Sequence, residues 1–336
     1  MSGYPDHSPH RSRRIAEGGS PWIIGRRGSP FPPLSNHPNN EETGYGAAAA
    51  LATFLVWGLL PIYWKLLGHV NPLEVVCFRG IWSFFSVLPV VLLTKRLPEV
   101  AVAMRGKNVL LLGASMALLA SNWLIFIWAV TNGRILETSL GNFLNPLVNM
   151  LCGVIFFQDR ISRLQWLSIF LVAVAIAIRI VTLGYFPWIA LALCSTFACY
   201  GMVRKIVAVE SVPGIMVENT LFVPFALAIL FLVNQETELS FGTDTATTAL
   251  LVGAGVCTSV PTVLFAYAAR HLHLTTLGIF HYIVPSCSFL LGVFVYQEPL
   301  TRMNLVTFAI IWLALIIYTA EKIRKRRTPW VKTTPP

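Results

Sequence analysis

The chain has 336 residues, is 55% hydrophobic and only 12% charged, and has a mean hydropathy of +0.67. A soluble domain is ordinarily about a quarter charged; a chain half as charged cannot cover a water-facing surface, so lipid must be its outer solvent. The formal charge of +10 is not a nucleic-acid signature, because the basic residues fall in loops and tails between apolar runs rather than along one face.

Residues 1–43 are rich in Pro, Ser, Gly, Asn and Arg and show no sustained periodicity, which reads as a disordered cytoplasmic tail. The run Trp22-Ile23-Ile24 is too short for a signal peptide, and Arg26-Arg27 follows it instead of preceding it. From Gly44 the character changes. Apolar segments long enough to cross about 30 Å as helices fall near 46–67, 75–93, 108–131, 136–157, 164–182, 185–204, 215–233, 247–268, 276–296 and 302–320. The expected fold is therefore an all-α integral membrane protein with ten transmembrane helices. The basic residues orient it. With the N-terminus inside, cytoplasmic regions hold Lys95, Arg96, Arg105, Lys107, Arg160, Arg163, Arg204, Lys205, Arg270, the 322–327 run and the tail arginines. The other side holds Arg134, Arg302 and, at the end of a span, Arg179, beside the acidic loop Glu236, Glu238 and Asp244. Both termini are expected in the cytoplasm, with 321–336 a basic tail drawn to anionic lipid.

The segment Leu140–Asp159 carries Asn142, Asn145 and Asn149 at i, i+3 and i+7, one face of a helix. A second copy runs from Leu277 to Glu298. A shift of 139 positions lays Pro146 on Pro285, Gly153 on Gly292 and Gln158-Asp159 on Gln297-Glu298, and puts Asn142 on His281. Likewise TFLVWGL at 53–59 answers TFACYGM at 196–202, placing Trp57 on Tyr200. Residues 44–183 and 184–320 read as two halves of five spans each. Five is odd, so the second half enters the bilayer from the opposite side. Inverted repeats of this kind recur in secondary transporters, with substrate sites near the midplane.

The motifs WGLLPIYWK, NWLIFIWAV, SLGNFLNPL, TSVPTVLFAYAAR and LLGVFVYQEPL, in this order from Gly44 to about Glu321, resemble the RarD family of EamA-type permeases in the drug/metabolite transporter superfamily. The resemblance implies a ten-helix permease of the bacterial plasma membrane with internal inverted repeats; the family name comes from a chloramphenicol-sensitivity association. One departure stands out: where the family usually has Gly-Glu at the ends of spans 4 and 9, this chain has Gln158-Asp159 and Gln297-Glu298.

Ionisable residues inside a membrane are costly and usually face a cavity or a partner. Lys65, Glu74, Arg79 and Glu137 fall near the outer ends of spans 1, 2 and 4 and are expected to form a charged vestibule, with Arg79 meeting Glu137 across helices. Glu218, inside span 7, is their counterpart at the other end. Lys65, Glu74, Glu137 and Glu218 are candidates for gating or for carrying a coupling proton. Trp57, Arg79, Asn122, Trp123, Asn142, Asn145, Tyr200, His281 and Tyr282 are the candidate substrate contacts, since aromatics and amides suit a partly apolar solute with hydrogen-bonding groups. Amides in spans also serve as helix-to-helix bonds, and aromatics as packing.

The expected function is a secondary-active permease of a small organic solute. No GxxxxGK[ST] loop is present to bind ATP. An integral-membrane enzyme is the first competing class, but HExxH, GxSxG and paired acidic metal motifs are absent and His271 and His273 lack further ligands nearby. A non-transporting receptor is the second, without a long extramembrane domain to signal through. The six cysteines all lie in apolar runs without a CxxC pair, so neither a metal nor another cofactor is expected. The expected partners are the solute, the lipid bilayer and a coupling proton.

Overall fold

The computed structural model describes residues 40–158, 161–183, 186–207, 209–272 and 274–327. The expectations for the N-terminal tail before residue 40, for Asp159, Arg160 and His273, and for the tail beyond residue 327 lie outside them. Hydrocarbon offers the backbone no hydrogen-bond partner, so an apolar run must satisfy its peptide groups within itself, as a helix does. All regular structure among the described residues is helical: α1 (Asn40–Leu66), α2 (Pro72–Leu93), α3 (Leu97–Ala103), α4 (Lys107–Thr131), α5 (Ile135–Phe157), α6 (Arg163–Leu183), α7 (Trp188–Ile206), α8 (Ser211–Glu236), α9 (Thr245–His271), α10 (Leu274–Phe280), α11 (Ile283–Leu290) and α12 (Arg302–Arg327). Ten spans among these residues are long and apolar enough to cross a membrane. The sequence-based segments coincide with them to within a few residues.

Local chemistry sets the ends. Asn71 accepts from the Leu73 amide with Pro72 opening α2, and Asp244 accepts from the Thr247 amide at the start of α9. Gln158 and Gln297 both take left-handed backbone, at φ +55° and +50°. The turn is kept at some cost, because a Cβ disfavours that region.

Two features differ from the sequence reading. The ninth span is not one helix: it breaks at His281–Tyr282 between α10 and α11 and ends in a π-helical turn over Leu291–Val295. Pro285 explains the break, since it has no N–H to donate to the His281 carbonyl and its ring crowds that carbonyl. The His281 carbonyl instead accepts from the Val284 amide, at 3.2 Å. The short helix α3 between the second and third spans was also not expected.

The helices pack in a repeating pattern. α2 lies against α8, α5 against α11, and α6 against α12; α1–α9 has its counterpart in α4–α7, α1–α11 in α5–α7, and α2–α9 in α4–α8. A shift of five spans leaves this set of neighbours unchanged. Small residues allow the closest approaches. A Cβ on Gly255 of α9 would lie 2.3 Å from the Trp82 carbonyl carbon on α2, and one on Gly141 of α5 would lie 2.9 Å from the Ala190 oxygen on α7. One apolar core joins Trp64, Val75, Ile127 and Leu251; a second joins Leu140, Leu144, Phe308 and Ile311. Large apolar side chains such as Phe85, Phe170, Phe231 and Ile316 face outward, as lipid contact requires.

Candidate functional site

Between the helices lies a cavity of about 1110 Å³. Trp57, Arg79, Asn122, Trp123, Asn142, Asn145, Tyr200, His281 and Tyr282 all line it, together with Asn149 and Glu218. It runs from Leu60, Arg79 and Asn122 in mid-span to Ile161, Gln165, Ser211 and Thr319 at one end of the bundle. Helical periodicity explains the convergence on α5, where Asn142, Asn145 and Asn149 stay on one face although Pro146 sits among them.

Aromatic rings form one wall. Trp57 is 5.7 Å from Phe54 and 5.8 Å from Phe265, centre to centre, and His281 stands edge-on to Phe54 at 5.6 Å. Trp123 carries the Arg79 guanidinium over its face at 4.7 Å, a cation–π contact. The amides divide into two kinds. Asn122 donates to the Leu193 carbonyl at 2.9 Å and to the Thr196 hydroxyl at 2.8 Å, tying α4 to α7. Asn145 donates to Asn142 at 3.4 Å, but its own side-chain oxygen is buried without a partner. Toward the cavity mouth, one carboxylate oxygen of Glu218 accepts from Ser115 and lies 3.5 Å from Arg204, while the other is buried and has no hydrogen-bond partner. Beyond the spans at this end, hydrogen bonds and charge from Glu99 and Glu210 outweigh burial and push the Arg96 pKa up, and the Glu210 contact joins the α2–α3 turn to the start of α8.

The sequence reading missed the polar trio Ser83, Asn219 and Ser259. Ser83 accepts from Asn219 at 3.0 Å and shares a hydrogen bond with Ser259 at 3.0 Å. The signal was present: Ser83 follows Arg79 by one helical turn, on the same face.

The opposite end is sealed by contacts between the stretches 40–183 and 186–327. Both oxygens of Glu298 accept from the first amides of α5, Ile135 at 2.6 Å and Leu136 at 2.8 Å. Glu74 accepts from the Ser240 and Phe241 amides at 3.2 and 3.0 Å, and Phe78 stacks on Phe241 at 4.4 Å. His69 bonds Thr247 at 2.9 Å, and the Tyr63 hydroxyl donates to the Leu250 carbonyl. Lys65 sits over the Tyr296 ring at 5.4 Å.

The expected vestibule charges thus have other neighbours than the sequence suggested. Arg79 does not meet Glu137. It opens into the central cavity, whereas Glu137 lies 3.9 Å from both Arg134 and Arg179, and Arg179 also donates to Asn304 at 3.1 Å. The correction has a simple cause. Glu137 starts α5 one turn after Arg134 and beside α6, so it meets the arginine of α6 rather than that of α2. Lys65, Glu74 and Glu137 line no part of the cavity.

An EamA-like transporter family model matches residues 44–181. Protein RarD of Salmonella typhi is 40% identical over 289 residues, 85% of this chain and 98% of that protein. An uncharacterized transporter of Vibrio cholerae is 36% identical over 289 residues, 85% of this chain and 96% of its own length. A crystal structure of another protein, 16% identical, has the same fold, with a TM-score of 0.54 over 83% of this chain and 98% of that one. Ten apolar spans and bacterial relatives aligned along almost their whole length lead to one conclusion: the chain belongs to the RarD family of EamA-like transporters and is a multi-pass membrane transporter of the bacterial inner membrane.

Proposed function

We propose that the protein is a secondary-active permease moving a small organic solute by alternating access around this cavity. The observation that carries the reading is a cavity walled by both 44–183 and 184–320, open at one end and sealed at the other by hydrogen bonds between those same stretches. The main helix-to-helix contacts, which map onto one another under a shift of five spans, support the two five-helix halves, and the odd span number per half supports their inversion. Placement of Lys and Arg supports termini on the cytoplasmic side, which makes the open end cytoplasmic and this conformation inward-open. Opening the outer end requires breaking the Glu298, Glu74 and His69 contacts, so these are its gate.

Solute counterflow into proteoliposomes holding purified protein tests the reading, using compounds that raise its melting temperature. Transient accumulation of labelled solute without ATP is the expected result; uptake no greater than in protein-free liposomes would overturn it. Glu218 faces the cavity with one oxygen unpartnered, which supports it, rather than the doubly ion-paired Glu137, as the proton carrier. Glu218→Gln is expected to keep counterflow and lose its response to a pH gradient; an unchanged response removes Glu218 from that role.

A further inference from the structure

A buried cation without an anion is expensive, and the cavity holds one. Arg79 is 9% exposed. Its Nε is buried with no hydrogen-bond partner, and no hydrogen bond or ion pair joins its terminal nitrogens to any described residue. Among the described residues it lies over the face of Trp123. The other deeply placed arginines are provided for: Arg96 by Glu99 and Glu210, Arg179 by Glu137 and Asn304, Arg204 by Glu218. The nearest acid along the same helix, Glu74, is engaged by two backbone amides at the sealed end. Helix α2 therefore carries a positive charge into the cavity that nothing in the described protein neutralises.

We propose that Arg79 is the anchor for an organic carboxylate, so that the transported solute is an anion with an apolar or aromatic body. Three features fit this chemistry. A guanidinium presents parallel N–H donors that match the two oxygens of a carboxylate. Contact with the Trp123 face restrains the guanidinium, so less freedom is lost when the ligand docks. The rest of the wall is of the opposite kind: Trp57 and Phe265 offer apolar faces, and the Asn142 and Asn149 amides offer hydrogen bonds to a second polar group. Binding supplies the missing counter-charge, so the cavity is close to neutral when loaded. Charge balance then favours the loaded form for the crossing, with the empty cavity carrying the uncompensated cation.

The inference rests on the permease reading but is tested by equilibrium binding, which needs no transport. The measurement is the melting temperature of purified full-length protein with matched pairs of arylalkanoic acids and their amides, from benzoate and benzamide to 4-phenylbutyrate and 4-phenylbutanamide. The expected result is a saturable rise with at least one acid and at least tenfold weaker binding of its amide. Arg79→Met is expected to abolish the acid-induced rise and to leave the ligand-free melting temperature equal or higher, since an unpaired buried charge has been removed. Arg79→Lys, which lacks the fork, is expected to weaken acid binding at least tenfold. Equal shifts by acid and amide throughout the wild-type panel, no shift by any acid, or an undiminished acid effect in Arg79→Met would each overturn the proposal. Counterflow of a neutral solute alongside any of these would leave the permease reading standing without it.

Discussion

Replacing Glu298 by alanine removes two hydrogen bonds at the sealed end in a single change. Both donors, the Ile135 and Leu136 amides, belong to the first turn of α5, where helical N–H groups have no partner of their own. A hydrogen bond to a charged acceptor contributes about 1.5–3 kcal/mol. Glu298 is only partly buried, so the lower figure applies, giving about 3 kcal/mol for the pair. At 1.4 kcal/mol per factor of ten, the balance between sealed and opened outer end shifts by about a hundredfold toward opening. Glu298→Gln keeps one acceptor oxygen and is expected to fall between wild type and Glu298→Ala. The assay is the distance distribution between spin labels at Asn132 and Thr301, both exposed, which flank this contact on opposite sides of the seam. Glu298→Ala should enrich a longer-distance population in nanodiscs. A lowered melting temperature with an unchanged distribution would make Glu298 a cap that stabilises the fold and nothing more, and would refute the gate.

Gly255→Ala is expected to lower the melting temperature by several degrees, because its new Cβ would lie 2.3 Å from the Trp82 carbonyl carbon and 2.4 Å from the Ser83 nitrogen. Relieving that overlap between two backbones costs about 1–3 kcal/mol, measurable by thermal denaturation in detergent. Asn122→Leu and Asn145→Leu should separate structural from solute-facing amides. The first breaks both α4–α7 hydrogen bonds and lowers stability, by about 0.6 kcal/mol per interhelical bond. The second removes an oxygen that has no partner and a single long bond to Asn142 at 3.4 Å within the same helix; it should cost less stability than the first and, by freeing Asn142, alter ligand binding. Equal stability losses in the two variants would contradict that division.

Much of this architecture could be read from the sequence because membrane rules act locally. An apolar run of bilayer length must be a helix, and asparagines spaced three and four apart on it must share a face, so Asn142, Asn145 and Asn149 pointed to a common surface before any packing was known. The match of His281 to Asn142 under a 139-position shift, and of Tyr200 to Trp57 between 196–202 and 53–59, pointed these residues to the same place. What could not be read depended on neighbours distant in sequence. Glu74 is engaged by amides of the loop before α9, and Glu298 by the start of α5, contacts whose partners lie more than 160 positions away. Arg79 and Glu137 suggested a pair by charge alone, whereas helix adjacency gave Glu137 to Arg179. The break at His281–Tyr282 was hidden because the residues directly beside it, Ile279-Phe280 and Ile283-Val284, are apolar, and Pro285 could equally have been carried through the span, as Pro146 is in α5.

The most direct test of the account is whether one mid-cavity position can be reached from both sides of the membrane in turn. A single cysteine at Asn149, an exposed residue of the cavity wall, in a chain with the six native cysteines replaced, would be challenged with a membrane-impermeant maleimide from each side of oriented proteoliposomes. The account predicts labelling from the cytoplasmic side at rest and from the outer side as well while a transported solute is cycling. Labelling from one side only, whether or not solute is present, would contradict it.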